Sequence, residues 1–155
     1  IGALLCWYYI AKITLVTDGS DKALDIAQKA LDVAKNPKIS NYYFMVLYKK
    51  LIAEIFLIKG DTDASKMYIE KALMIVKQYD MKLLKVSLYQ LYAKYLEEMV
   101  SKKPENKVNY AQNAITTYKK ALALIAGLDV PAIESEIQKN YASFKAFCQL
   151  NNIKA

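Results

Sequence analysis

The sequence predicts an all-α chain built from repeated helix pairs, and three observations carry that expectation. Only four glycines and three prolines occur in 155 residues, while Ala, Leu, Ile and Lys dominate, a composition that favours long helices over turn-rich sheets. Apolar residues recur at spacings of three and four along much of the chain. The phrase x-Lys-Ala-Leu occurs at Gln28 to Leu31, at Glu70 to Leu73 and at Lys119 to Leu122, each time closing a helical stretch. Its alanines, Ala30, Ala72 and Ala121, are 42 and 49 residues apart, in the range of periods that marks stacked helix pairs.

The first helix runs from about Leu4 to Val16, apolar on almost every side, and Thr17-Asp18-Gly19-Ser20-Asp21 then supplies turn residues and a new helix start. From Lys22 to Lys35, Ala23, Leu24, Ile26, Ala27, Ala30, Leu31 and Ala34 line one face of a second helix, which Asn36-Pro37 ends. Ser40-Asn41 caps a third helix reaching Ile58. Lys59-Gly60-Asp61 turns the chain into a fourth, from Thr62 to Tyr79, with Gly60 suited to a left-handed helix stop. A fifth runs from about Met81 to Ser101. The polar connection Lys102 to Lys107, which contains Pro104, accounts for the longer second period and leads to a sixth helix, Val108 to Ala126. Gly127-Leu128-Asp129-Val130-Pro131 stops that helix, and Ala132 to Leu150 forms a seventh with no visible partner, a cap or a half repeat. The expected helix pairs are 3–35, 40–79 and 81–126, with a terminal helix 132–150, all in a single domain spanning 1–155.

A chain of this length with 55% hydrophobic residues can bury roughly two-thirds of its unfolded surface. Ile in place of Met at position 1, and an uncapped apolar opening through Ile10, lead us to expect a piece of a larger protein. No apolar run reaches the roughly 18 residues of a membrane span, and the opening lacks the basic leader of a signal peptide. A cytoplasmic protein with no membrane partner is expected. Cys6 and Cys148 read as small core residues that an extended array would keep beyond bridging distance.

The formal charge is +7, yet all 22 basic residues are lysine. Without arginine the chain lacks the planar fork that reads guanine edges and phosphates in two bonds, so nucleic acid is an alternative partner and a solvated lysine surface the simpler account. Thirteen tyrosines, among them Tyr89, Tyr92 and Tyr95, interleave with lysines. Such aromatics can stack bases, but at helical spacing packing with the hydroxyl at solvent is the commoner use. Histidine is absent, which removes the commonest general base and imidazole metal ligand. The carboxylates are scattered; Glu97 and Glu98 are neighbours and diverge by about 100° on a helix. Neither a phosphate loop nor a nucleophile beside a base occurs. No enzyme, cofactor or metal site is expected.

Aligned outward from the repeated phrase, Ala11 precedes Ala30 by 19 residues and Ala53 precedes Ala72 by the same 19. This pattern resembles the tetratricopeptide repeat (TPR). Trp7, Ile10-Ala11, Gly19, Ala23, Ala27, Ala30 and Pro37 fit one repeat. Ile52-Ala53, Phe56, Gly60-Asp61, Ser65, Ile69 and Ala72 fit a second. Tyr89, Tyr92-Ala93, Leu96, Ala114, Tyr118 and Ala121 fit a third around its insertion, so that the likeness covers about 85% of the chain. It implies a right-handed superhelix of antiparallel helix pairs, a TPR-like α-solenoid, with alanines where helices approach and Trp7, Phe56, Leu73 and Tyr118 filling the gaps between pairs. Repeats longer than the family's usual 34 residues look more like those in the arms of large bacterial regulators, such as activators of the maltose type, than like chaperone adaptors.

In that family the first helix of each pair lines a groove. By position the groove would hold Leu5, Tyr8, Lys12 and Leu15, then Leu47, Lys50, Glu54 and Leu57, then Ser87, Gln90, Lys94 and Glu97. An ordinary solvated face, or contact with a preceding repeat, explains the four leucines equally well. Tyr8 and Lys12 stand where chaperone-binding members carry the first Lys and Asn of a carboxylate clamp, and no arginine completes one. The expected function is therefore a protein or peptide interaction scaffold, the arm of a bacterial signalling or transcription regulator, with Tyr8, Lys12, Lys50, Glu54, Gln90 and Lys94 as groove residues. Its partner would be a protein, a peptide or another domain of the same chain. The alternatives are lysine-mediated nucleic-acid binding and a structural spacer or homo-oligomerisation segment.

Overall fold

A computed structural model describes residues 2–39 and 41–155. Among them the chain forms seven α-helices and no strand: α1 (Gly2–Thr17), α2 (Ser20–Lys35), α3 (Tyr42–Ile58), α4 (Thr62–Gln78), α5 (Lys82–Lys102), α6 (Lys107–Ile125) and α7 (Pro131–Leu150). A 3-10 turn at Pro104–Asn106 joins α5 to α6. The helices belong to two compact units, Ile1–Met81 and Lys82–Ala155. None of the described helices is long and apolar enough to cross a membrane.

Helix ends follow the local chemistry. The Asn41 side chain accepts from the Phe44 amide at 3.2 Å, and Asp61 accepts from the Ala64 amide at 3.0 Å, so α3 and α4 each satisfy one of the amides that every helix start leaves open. Ser40, the other half of the expected cap, lies outside the described residues. Gly60 adopts φ 78°, the left-handed stop expected of it. Asp80 takes φ 48° in the equivalent place after α4, and Asp129 takes φ 48° two residues before α7, a region that Asp tolerates better than most side chains.

In the first unit, α2 packs on α1 and α3, and α4 packs on α3. Tyr42 at the start of α3 stacks on Tyr79 just after α4, with centroids 4.1 Å apart. Phe56 near the end of α3 stacks on Tyr68 early in α4 at 5.8 Å, so the two helices run antiparallel. Tyr48 is fully buried in α3 and donates its hydroxyl to the Leu4 carbonyl of α1. The Lys59 ammonium bonds to Asp21 across the other end of the unit. In the second unit, α6 packs on both α5 and α7. The seventh helix, expected without a visible partner, finds one in α6 through Tyr118 and Tyr141, whose rings are 5.8 Å apart.

Ala11, Ala30, Ala53, Ala72, Ala93 and Ala121 are all 0% exposed, as a close approach of helices there requires. Two expectations about α1 fail. Cys6 is exposed, whereas Cys148 is buried, and Trp7 is 40% exposed instead of filling a gap. Leu4 and Ala11, seven residues apart, define the buried side of α1, and Cys6 lies roughly 200° around the helix from Leu4. Of the other expected gap fillers, Tyr118 is buried, while Phe56 and Leu73 are half-buried.

The long second period has a different origin from the polar connection. Five residues follow Ala53 in α3 and nine follow Ala93 in α5; ten residues of α4 precede Ala72 and fourteen of α6 precede Ala121. Each arm of the α5–α6 hairpin is thus longer by about one helical turn than its counterpart in α3–α4, whereas the link between its arms, 103–106, is only one residue longer than 59–61.

Because Ala72 is fully buried, Ala72→Leu is expected to destabilise the chain by about 1–3 kcal/mol through overpacking. Urea denaturation monitored by helical circular dichroism measures this, and an unchanged midpoint would refute a close approach at that alanine.

Candidate functional site

Four of the six expected groove residues lie in the first unit, and three of these meet. The Lys12 ammonium sits 5.9 Å from the Tyr8 ring centroid, one turn along α1. That ring meets Tyr48 of α3 edge-on, with centroids 6.2 Å apart. The Tyr8 phenol is pushed up to about 12, chiefly because burial penalises the phenolate, with the Glu54 carboxylate and then Tyr9 and Tyr43 adding to it. Glu54 of α3 is therefore part of the same cluster. Lys50 is half-buried one turn before Glu54. Tyr8, Lys12 and Glu54 make a mixed cluster where α1 meets α3.

Gln90 and Lys94 lie in the second unit, Gln90 half-buried and Lys94 exposed. Lys94 stands at the rim of a cleft of about 370 Å³ formed by Lys94, Glu97 and Ser101 of α5, Tyr118 of α6, and Asn140, Ser143, Phe144 and Phe147 of α7. Gln90, one turn earlier on α5, does not line it. Helical spacing places Lys94, Glu97 and Ser101 on one side of α5, and Asn140, Ser143, Phe144 and Phe147 on one side of α7. The rings of Phe144 and Phe147 stack at 6.0 Å, with Phe144 buried and Phe147 38% exposed.

At the base of the cleft the Tyr118 hydroxyl donates to Glu97 Oε1 at 2.6 Å, a short, charge-assisted bond. Burial pushes the Glu97 carboxyl above its ordinary value; the Tyr118 bond and the Lys94 ammonium oppose this without cancelling it. Burial also raises the Tyr118 phenol, and the bond to Glu97 and its negative charge raise it further. The Cys148 thiol is raised by burial first and by Glu97 second, so it is a packing group and not an activated nucleophile. One Glu97 oxygen accepts from Tyr118, which leaves the carboxylate acceptor capacity for a ligand. The cleft therefore combines an aromatic wall, a carboxylate at its base and an ammonium at its lip. It can hold an apolar group beside a hydrogen-bond donor.

The α7 side of this cleft lies outside the expected groove, because the seventh helix is expected as a cap or a half repeat. Its signal was present in Asn140, Ser143, Phe144 and Phe147, spaced three, one and three residues apart. Among the described residues, no group of three or more Cys, Asp or Glu side chains could hold a metal ion.

A carboxyl raised on folding weakens the fold once it ionises. That cost is absent below the ordinary value of 4.5 and is complete once the pH has risen past the raised one. Glu97→Gln removes the cost, and its amide oxygen can still accept from Tyr118. The variant is expected to match the parent in acid and to exceed it in stability at neutral pH, by urea titration across the pH range. A difference that does not change with pH would rule out ionisation as its source.

No protein-family model matches the chain, and no curated protein matches it.

Proposed function

We propose that this chain is an interaction scaffold, a TPR-like helical-repeat arm that binds a peptide or protein segment, and that it belongs to a bacterial signalling or transcription regulator. The observation supporting this reading is the cleft of the second unit. Apolar lining with a few placed polar groups is the composition of a site that takes a side chain and orients its backbone. Phe144 and Phe147 offer the apolar contact, while Glu97, Lys94 and Asn140 offer bonds of both polarities. The resemblance to the TPR family supports the same reading, since groove binding on first helices is its usual mode. A binding peptide can be selected from a displayed library and its affinity measured by fluorescence anisotropy. Phe147→Ser, at a partly exposed position, is expected to weaken that peptide by about tenfold or more while helicity stays unchanged. Equal affinity for Phe147→Ser and for Lys94→Glu would remove the cleft from the binding surface.

A second reading, oligomerisation, is favoured by α1. Leu5, Tyr9, Ile10, Ile13 and Val16 are all exposed, Val16 by 87%, and Lys12 is the one charged residue of the helix. Burying such a face between copies would remove apolar surface from water. Light scattering is expected to show a mass that rises with concentration for the parent chain and stays monomeric for Ile13→Lys. A parent chain that remains monomeric throughout would sink this reading.

A further inference from the structure

Lys49 is 9% exposed, a lysine set on the buried side of α3 with Ile52 and Ala53. Lysine is almost never buried unless it is paired, yet among the described residues no salt bridge includes it. The charges acting on it have its own sign. Burial lowers its ammonium first, followed by the charges of Lys35 and Lys71. The three lysines come from three elements of the first unit: the end of α2 with Lys35, the middle of α3 with Lys49, and α4 with Lys71. The Lys49 and Lys71 ammonium groups also approach the same Tyr68 ring, at 6.0 Å and 5.8 Å from its centroid.

The Lys49 ammonium is not sealed in. Among the described residues, Ser65 Oγ is the one buried side-chain polar atom that lacks a hydrogen-bond partner. Lys49 Nζ makes no hydrogen bond either, so it must reach solvent while its methylene stem is buried. It shares the Tyr68 ring with the Lys71 ammonium, and the charges of Lys71 and Lys35 both act on it. Like charges held together at a partly desolvated point are unfavourable until an anion joins them.

We propose that Lys49, with Lys71 and Lys35, forms an anion site that takes a dianionic phosphoryl group. The charge count selects the ligand. Lys35 is shared with Asp32 at 3.0 Å, whereas Lys49 and Lys71 are in no salt bridge among the described residues. Two unmatched positive charges are what a phosphomonoester or inorganic phosphate neutralises and what a single carboxylate does not. Lysine binds phosphate as a point charge without needing the guanidinium fork, so the absence of arginine is no obstacle here. The site shares no residue with the cleft of the second unit and does not depend on the function proposed for it.

Calorimetric titration of the chain with inorganic phosphate tests the proposal. Saturable binding of one phosphate per chain is expected. Lys49→Met should weaken it by about tenfold or more and should fold at least as well as the parent, since it replaces a buried, unpaired charge with an apolar group of similar length. Lys71→Gln, at an exposed position, should weaken binding severalfold and serves if Lys49→Met folds poorly. Lys120→Met on α6 should leave binding unchanged. Sedimentation with phosphatidylcholine vesicles, with and without phosphatidate, tells a lipid-borne phosphoryl group from a free one. Retention by phosphatidate that Lys49→Met abolishes supports the site with a lipid source. Absence of binding to both probes, or equal weakening by Lys49→Met and Lys120→Met, overturns it.

Discussion

The architecture depends on how near two helix backbones can come to each other. Helices pack at the separation their contact side chains allow, and alanine permits the smallest separation short of glycine without weakening the helix itself. Ala53 and Ala72 lie on the paired helices α3 and α4, and Ala93 and Ala121 on α5 and α6; all four are fully buried. Once those contacts are made, the larger residues around them have little choice of direction. Tyr118 is drawn under α5, where its hydroxyl finds Glu97. Tyr48 is drawn under α1, where its hydroxyl finds the Leu4 carbonyl. Each buried phenol thereby gains a partner for a polar group that would otherwise be costly to bury.

The same packing decides which charged groups acquire unusual environments. Glu97 and Lys49 are first-helix residues on the margins of the alanine contacts. Glu97 has a hydroxyl donor and a nearby ammonium to compensate its burial, while Lys49 has an aromatic face and two like charges. They carry opposite signs and lie in different units of the chain. The fold thus contains two positions where a charged side chain is partly withdrawn from water.

Much of the fold was legible because local signals and packing agree. Asn41, Gly60-Asp61 and Pro131 mark helix ends by chemistry that depends on a few neighbouring residues, and the structure places the ends within two or so residues of them. Periodicity failed for α1, because a helix that is apolar all round does not say which side is inside; Cys6 and Trp7 were misplaced for that reason. The α5 side of the cleft was legible at Lys94 and Glu97, whereas the α7 side required knowing that α6 has two neighbours. Lys49 is inconspicuous in the sequence beside Lys50. Its stripe, shared with Ile52 and Ala53, was readable, but a lysine on an apolar stripe looks like a flaw in the pattern until its environment is known.

The extra turn on each arm of the α5–α6 hairpin shows how such a repeat can change size. A helix returns to nearly the same angular position after every turn, so whole turns can be added beyond the contact point without rotating any residue off its face. Counted from the matched alanines, Ile58 at the end of α3 corresponds to Glu98, and Ser101 therefore lies in the added turn. One border of the cleft is made of sequence that the shorter hairpin does not possess. Hairpin length is in this sense a depth control, by which a repeat of unchanged packing acquires a wall tall enough to enclose something.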